Sequence, residues 1–228
     1  MSDKYFFFDL DNTLYDYGKA HFPAQEALVT FLSSQLKLKP HKVSSGLETA
    51  RYSVKKRLGS TASSHSRLLY ISEYLRTLNC RSQIQLTLSG ESIYWNTYLS
   101  EMRLFEDVHN FLLFTRSCGY VNALVTDLNT SIQMRKLRFL GVDTVFDLIV
   151  TSEEAGGDKA TGKPEQFLRD LIGEVEGFSI GDIDTDHIFP DSTVFFKKVP
   201  RKSSKSHEFS SFLSLQQKLF PNPKQFTK

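Results

Sequence analysis

The sequence has little cysteine, no marked excess of charge of either sign and no long hydrophobic run. Two cysteines, Cys80 and Cys118, occur in 228 residues. They are too few for a disulfide scaffold, and the sequence has no cysteine–histidine cluster with the spacing of a structural zinc site. The 28 Lys and Arg nearly cancel the 26 Asp and Glu. This balance argues against a nucleic-acid partner, because dedicated nucleic-acid-binding proteins carry a basic excess.

Membrane and secretion signals are also missing. No segment approaches the roughly 18 consecutive apolar residues that indicate a membrane-spanning helix. The apolar run at residues 5–8 stops at Asp9, and no basic segment precedes it, so we predict no signal peptide. We therefore expect a cytoplasmic protein with no membrane partner.

The composition that remains is that of a globular protein. Apolar residues make up 40% and charged residues 24%, a balance that supports a packed core. At roughly 100–200 residues per domain, the length predicts one or two domains. The 19 phenylalanines predict a core rich in aromatic side chains.

Short apolar runs alternate with helical patterns over most of the chain. A run without polar alternation predicts a strand buried on both faces, as in a parallel sheet. Strands that alternate with helices indicate βαβ units, so we predict an α/β fold with a parallel sheet. The predicted strands are residues 5–8, 121–125, 146–150, 178–180 and 193–196.

One stretch, about residues 15–103, contains no clear strand run. It predicts four helices, separated by Pro40, by the Ser-rich residues 59–64 and by a break over residues 81–90. We therefore predict a helical domain at 15–103 inserted into a discontinuous α/β domain at 1–14 and 104–220, with a flexible tail at 221–228. The predicted helices are residues 20–37, 41–58, 66–79 and 90–101.

Polar clusters follow the strand-like runs. They are residues 9–13, 126–127, 163–164 and 181–186, the third of which follows its strand by a loop. In an open parallel sheet, ligands bind at the carboxyl ends of the strands, so these clusters are expected to converge on one crevice.

These clusters resemble the four motifs of the haloacid dehalogenase-like (HAD) hydrolase superfamily, in the type with a helical cap inserted after the first motif. The first motif is similar to residues 8–14, the second to 124–127, the third to 162–164 and the fourth to 181–186. The resemblance covers about residues 5–190. It implies a Rossmann-like α/β core with an inserted α-helical cap.

The resemblance also implies a chemistry and a role for each motif residue. Asp9 attacks phosphorus and forms an aspartyl-phosphate, and Asp11 protonates the leaving oxygen and then deprotonates water. Thr126 and the backbone N–H of Asp127 bind the phosphoryl group. Lys163 neutralises the charge of its oxygens. Members that cleave carbon–halogen bonds lack the second acid, so the presence of Asp11 favours phosphoryl chemistry.

A divalent cation is expected at the same place. Alternate residues of an extended segment point the same way, so Asp9 and Asp11 can face one pocket. Two carboxylates there repel each other unless a cation compensates. Mg²⁺ is the natural compensator because it is a hard cation that binds carboxylates together with substrate phosphate. The expected metal ligands are Asp9, Asp11, Asp182 and Asp186.

The sequence departs from the family pattern at two places. In the family pattern, the third motif comes soon after a Glu-Glu-Ala-Gly stretch, which here begins at Glu153. Residues 156–161 intervene, so Lys159 competes with Lys163 for the role of active-site lysine. We prefer Lys163, because Pro164 follows it and a helix begins there. The helix after Asp186 is expected to be very short and to end at Pro190.

The cap is expected to set the substrate. Its most polar interhelical loop, residues 59–67, contains His65 and Arg67, which are candidate substrate-binding residues. Arginine suits a second phosphate or a carboxylate. The alternative is that Ser64 or Ser66 caps a helix while both basic side chains are solvated.

The expected function is therefore Mg²⁺-dependent hydrolysis of a small phosphomonoester, a sugar phosphate or a nucleotide-like metabolite. One alternative is a phosphotransferase or phosphomutase of the same superfamily. The other is a non-catalytic HAD-fold binding protein. The sequence has no feature that decides the oligomeric state.

Overall fold

The computed structural model describes residues 4–221, which fold as two compact units. Within the described residues, one comprises residues 4–16 and 103–221, and the other comprises Tyr17–Met102. The predicted tail lies outside the described residues, except for its first residue, Pro221.

The unit Tyr17–Met102 is helical. Alanine and leucine side chains of its first helix, such as Ala24, Leu28 and Leu32, are buried at a spacing of about four residues, as in an amphipathic helix. Trp95, the single tryptophan of the sequence, is 5% exposed and packs edge-on against Tyr94. The helices are α1 (Tyr17–Leu36), α2 (Pro40–Leu58), α3 (Arg67–Thr77) and α4 (Gln83–Glu101).

Helix α4 is longer than the sequence indicates. The break expected over residues 81–90 ends early, and the helix runs from Gln83 through Gly90. A Cβ atom at position 90 would lie 3.0 Å from Cδ1 of Leu28. The glycine therefore permits close packing of α4 on α1, and this packing outweighs the low helix propensity of glycine.

The other unit is built on a six-stranded sheet in which every neighbouring pair is parallel, which confirms the predicted fold class. The strands are β1 (Lys4–Phe8), β2 (Tyr120–Thr126), β3 (Leu148–Thr151), β4 (Glu176–Gly181), β5 (Thr193–Lys198) and β6 (Glu208–Phe209). Their order is β3-β2-β1-β4-β5-β6. The short strand β6 is absent from the sequence-based prediction.

Strand β1 lies in the interior of the sheet and is apolar on both faces. Phe6 and Phe8 pack against Phe111 on one face, and Phe7 packs against Phe189 on the other. All five rings are nearly inaccessible. This explains why the run at residues 5–8 shows no polar alternation.

Helices cover the sheet and connect its strands. They are α5 (Val108–Ser117), α6 (Thr130–Leu140), α7 (Ser152–Ala155), α8 (Lys163–Ile172) and α9 (Phe212–Leu219). Between β4 and β5 there is only a 3₁₀ turn, Asp184–Asp186. The very short helix expected between Asp186 and Pro190 is absent, because residues 187–190 are not helical. Among the helices of residues 4–221, none combines the length and the hydropathy that a membrane-spanning segment requires.

The two chain segments of the α/β unit meet where the helical unit is inserted. Tyr15 forms a bridge with Leu104, and the N–H of Phe105 donates to the carbonyl of Leu14 over 2.9 Å. Tyr15 is fully buried. The α/β unit therefore extends to Asp16 on one side of the insertion and begins again at Arg103 on the other.

Candidate active site

Three aspartates meet at the carboxyl ends of neighbouring strands. Asp9 directly follows β1, and Asp182 and Asp186 follow β4, which pairs with β1. One carboxylate oxygen from each lies within 4.8 Å of the other two. Asp186 is held in place because its Oδ2 accepts the backbone N–H groups of Asp182 and Ile183, both over 3.0 Å.

Lys159 is the cation of this cluster. Its Nζ donates to Oδ1 of Asp9 over 2.5 Å and also contacts Oδ1 of Asp186. The 3₁₀ turn that carries Lys159 is fixed to the end of β2, since Oδ1 of Asp127 accepts the backbone N–H of Lys159 over 2.8 Å. The lysine side chain is 4% exposed, so this ion pair is shielded from solvent.

Lys163, the lysine preferred from the sequence, lies elsewhere. It is the exposed first residue of α8, and its Nζ donates to the carbonyl of Gly156 over 2.8 Å. The structure brings Lys159, and not Lys163, to Asp9. The physical reason is that a Lys-Pro pair marks the start of a helix, whereas the extra residues before it form the turn that reaches the aspartates.

Asp11 stands apart from the acidic cluster. Its Oδ1 and Oδ2 accept hydrogen bonds from Nζ of Lys136 over 2.8 and 3.1 Å, and the Tyr15 hydroxyl donates to Oδ1. Of the four expected metal ligands, the structure groups Asp9, Asp182 and Asp186. The fourth, Asp11, is bound instead by Lys136 and Tyr15.

Lys136 is not among the site residues predicted from the sequence. It lies on α6 and is 1% exposed. Its helix neighbours Gln133 and Leu137 are also buried. Positions i, i+3 and i+4 share a helix face, so a lysine and a glutamine on the inward face of α6 were the available signal. A lysine is almost never fully buried unless it is paired.

Hydrogen-bonding groups complete the strand ends. The Thr13 hydroxyl donates to Oδ2 of Asp9 over 2.9 Å. Nε2 of Gln133 donates to the Thr126 hydroxyl over 2.5 Å and to the backbone carbonyl of Asp127 over 2.9 Å. The expected phosphoryl-binding residues Thr126 and Asp127 are thus fixed at the end of β2, beside β1.

Burial and crowding govern the charges of the cluster. Burial raises the pKa of Asp9; the Lys159 ammonium opposes this, and the Asp186 carboxylate adds to it. Burial also raises the pKa of Asp182, again with a contribution from Asp186. For Lys159, burial disfavours the charged form, but Asp9 and Asp186 outweigh it and raise the pKa. Three carboxylates against one ammonium leave a net negative site.

This donor set fits a divalent cation. Three carboxylate oxygens within 4.8 Å are the hard ligands that Mg²⁺ binds, usually by one or two carboxylates together with water and substrate phosphate. Asp186 and Asp182 are already ordered by backbone hydrogen bonds and by the turn after β4. The residues that could hold the ion are therefore Asp9, Asp182 and Asp186.

The two cap candidates lie in the helical unit. Ser66 caps α3, since its hydroxyl accepts the N–H of Leu69 over 3.3 Å, as the alternative interpretation required. Arg67 is nevertheless not solvated: it is half-buried and donates to the Tyr17 hydroxyl over 2.7 Å. His65 ends the 3₁₀ turn Ala62–His65 and is also half-buried.

The parallel sheet and the aspartates at the ends of its strands define a class, the Rossmann-like α/β proteins with an acidic cluster beside the first strand. A model of the haloacid dehalogenase-like hydrolase family matches residues 6–186. The chain belongs to this family, which confirms the resemblance drawn from the motifs.

Two curated proteins are similar in sequence. Ribulose-1,5-bisphosphate 5-phosphatase of Halopiger xanaduensis is 34% identical over 154 residues, which are 67% of this chain and 64% of that protein. Glyceraldehyde 3-phosphate phosphatase of Methanothermobacter thermautotrophicus is 28% identical, also over 154 residues, with the same coverage. The match thus spans 64% of the length of either relative.

Solved structures share the fold. A 2-haloacid dehalogenase from Pseudomonas syringae superposes with a TM-score of 0.72 at 18% identity, over 96% of this chain and 99% of that chain. A HAD phosphatase from Thermococcus onnurineus gives 0.62 at 16% identity, over 95% and 97%. At these identities the likeness concerns the fold.

Proposed function

We propose that the protein is a Mg²⁺-dependent phosphatase that hydrolyses a small sugar phosphate through an aspartyl-phosphate. The observation that carries the proposal is the buried Asp9 at the end of β1, held by Thr13 and Lys159 beside two further aspartates. The two curated relatives support it, since both are named for phosphatases of small phosphorylated sugars.

Asp9 is suited to act as the nucleophile. Its Oδ2 accepts a hydrogen bond from Thr13 and its Oδ1 one from Lys159, so the carboxylate is fixed before substrate arrives. A bond forms between a carboxylate oxygen and phosphorus while the bond from phosphorus to the ester oxygen breaks. Water then attacks phosphorus and restores the carboxylate.

The surrounding groups stabilise charge and move protons. The Lys159 ammonium, carried by the 3₁₀ turn Lys159–Thr161 and bonded to Asp9, offsets the charge of the phosphoryl oxygens, and the Thr126 hydroxyl at the end of β2 donates a hydrogen bond to them. Asp11 protonates the leaving oxygen and later accepts a proton from water. Mg²⁺, held by Asp9, Asp182 and Asp186, would neutralise the charge that develops on the phosphoryl group.

The substitution Asp9→Asn tests this proposal. We expect it to lower release of phosphate from a generic aryl phosphate by about 10³-fold or more, because an amide is not a competent nucleophile. Asp184→Asn is the matched control, since Asp184 lies in the nearby 3₁₀ turn with a 90% exposed side chain and pairs with Lys197. Phosphate release by the Asp9→Asn protein at the wild-type rate would refute the mechanism.

The substrate class is tested by a screen of phosphorylated metabolites with Mg²⁺, sugar phosphates and nucleoside monophosphates included. We expect the highest kcat/KM among the sugar phosphates. Isomerisation of a sugar phosphate without release of phosphate would instead identify a phosphomutase. A complete lack of turnover with Mg²⁺ would identify a non-catalytic binding protein.

A further inference from the structure

The helical unit contains a cavity of its own. Its volume is about 350 Å³, and it lies between α1, α2 and α3, lined entirely by residues of that unit. Small-molecule sites typically have volumes of about 300–1,000 Å³. The cavity is therefore large enough for a metabolite of a few carbon atoms.

Arg67 is the main cationic group of the lining. Its guanidinium lies 4.9 Å from the ring centre of Tyr94 and 5.3 Å from that of Tyr70, and it donates to the Tyr17 hydroxyl over 2.7 Å. These contacts fix its orientation. The three tyrosines offer it no negative charge.

One donor of this guanidinium has no acceptor. Nε of Arg67 is buried, and it makes no hydrogen bond to any residue that the structure describes. A buried donor left without an acceptor is costly, and the cost is larger for a charged group. A planar guanidinium presents two parallel N–H groups to a carboxylate or a phosphate, so an oxyanion in the cavity would satisfy it.

A second arginine reaches the same cavity. Arg51 of α2 belongs to the lining, and its side chain interacts with that of Tyr70. Glu48 also lines the cavity and is exposed, and within residues 4–221 it forms no ion pair with Arg51 or Arg67. Two guanidinium groups against one carboxylate leave the lining positively charged.

His21 also lines the cavity, where both arginines act on it. Burial, and then the charges of Arg67 and Arg51, lower its pKa to about 4. Its ring stacks on Tyr17, and its Nδ1 lies 2.8 Å from the Tyr94 hydroxyl. At neutral pH the imidazole is therefore uncharged and contributes a polar ring to the cavity.

We propose that this cavity binds the oxyanion group, phosphate or carboxylate, of a small metabolite through Arg67 and Arg51. Leu28, Leu47 and Ile71 of the lining would contact its carbon chain. The oxyanion has two sources, the second anionic group of a phosphorylated substrate or a free anion that binds independently of turnover. Binding requires no chemistry at Asp9, so the inference is tested separately from the proposed phosphatase activity.

The Nε–H group of Arg67 allows anion binding to be measured directly. In full-length Asp9→Asn protein, the Nε–H resonance of Arg67 is followed by ¹H–¹⁵N NMR and assigned by its loss in Arg67→Lys. Inorganic phosphate, ribulose 5-phosphate, ribulose 1,5-bisphosphate and 3-phosphoglycerate are added in turn. We expect the Arg67 resonance to move downfield because its N–H gains an acceptor, while that of the exposed Arg57 stays in place.

The relative response to the four added compounds shows which source supplies the oxyanion. A shift at lower concentrations of the bisphosphate or of 3-phosphoglycerate than of the monophosphate indicates a second anionic group of a substrate. An equal response to inorganic phosphate indicates a free anion. Both results support the site, and an Arg67 resonance that no probe moves overturns it.

Calorimetry on variants supplies the second measurement. Arg67→Gln should weaken binding of the responding probe by about tenfold or more, because a charge-assisted hydrogen bond is lost. Arg57→Gln is the matched control, since Arg57 lies on α2 with its side chain half exposed and pairs with Glu73. Unchanged affinity in a folded Arg67→Gln protein would also overturn the proposal.

Discussion

At the scale of single residues, the most informative contact is that between Lys159 and the carboxylates of Asp9 and Asp186. All three side chains are less than 10% exposed. A buried ion pair of this kind is weak evidence for stability. In the proposed mechanism, however, it places one ammonium beside the phosphoryl group, where negative charge accumulates. The contribution of Lys159 is therefore best measured by the rate of phosphate release.

Substitution of the two competing lysines separates their roles. Lys159→Met should lower kcat/KM for phosphate release by about 10²–10³-fold, the usual effect of removing one preorganised charge-stabilising group. Lys163→Met should remain within about twofold, since that side chain is exposed and, among the residues that the structure describes, its ammonium bonds the Gly156 carbonyl and no carboxylate. Steady-state kinetics decides, with circular dichroism to verify folding. A larger loss in Lys163→Met would reverse the assignment.

Lys136 sets the position of Asp11. Replacing it by methionine removes both of its hydrogen bonds to the Asp11 carboxylate. We expect kcat to fall by about tenfold or more, with a smaller change in KM, because proton transfer depends on the position of the acid. Lys136→Arg should restore part of the rate. Arg135→Met, an exposed change on the same helix, should leave both constants unaltered.

At the scale of elements, the sequence predicted those features that depend on local pattern. The apolar run at residues 5–8 marks β1 because both faces of that strand are buried, and a proline correctly marks the start of α8. Features that depend on distant contacts were missed. Gly90 reads as a break unless Leu28 is known to pack against it, and Lys159 reads as a loop residue unless the turn that carries it is known to reach Asp9.

The same limit applied to the site. The ends of β1 and β4 could be read from the sequence because Asp9 and Asp182 directly follow these strands. The pairing of Lys136 with Asp11 joins residues 125 positions apart, and no local pattern contains it. For Arg67, the helix cap at Ser66 was visible in the sequence, whereas the ring of tyrosines around it comes from three helices.

Helix α1 carries a pH-dependent contribution to stability. The pKa of His21 is lowered to about 4, first by burial and then by Arg67 and Arg51. Unfolding restores the ordinary value of about 6.5, so the unfolded chain binds more protons between these values and stability falls as pH decreases through that window. The loss attributable to His21 should be about 1–2 kcal/mol after allowance for partial exposure.

Urea unfolding at several pH values between 7 and 4, followed by far-UV circular dichroism, measures this loss. His21→Gln should show a smaller decrease in the free energy of unfolding across the window than the wild type. His41→Gln, an exposed change on α2, should match the wild type. Equal slopes for His21→Gln and the wild type would contradict the assignment.

At the scale of the whole molecule, the chain is one α/β unit interrupted by one helical unit. The insertion leaves the two segments of the α/β unit in contact, because Tyr15 pairs with Leu104 where the chain leaves and re-enters that unit. The Phe105 N–H bonds the Leu14 carbonyl, so the two segments of the α/β unit are joined by backbone contacts independent of the inserted helices.

Replacement of residues 17–102 by a short Gly/Ser linker should therefore leave a folded α/β unit. We expect a cooperative urea transition and retained strand signal in circular dichroism, because the six-stranded sheet and its aromatic core lie entirely within that unit. A protein without a cooperative transition would show that the sheet needs the helical unit in order to fold.

The position of Trp95 gives the molecule a built-in optical probe. It is the only tryptophan, and it is buried against Tyr94 within the helical unit. Emission excited in the tryptophan band therefore reports on the helical unit alone, whereas the circular dichroism signal averages over both units. Any gap between the two unfolding curves of the same sample would measure how far the units melt independently, without a label or a mutation.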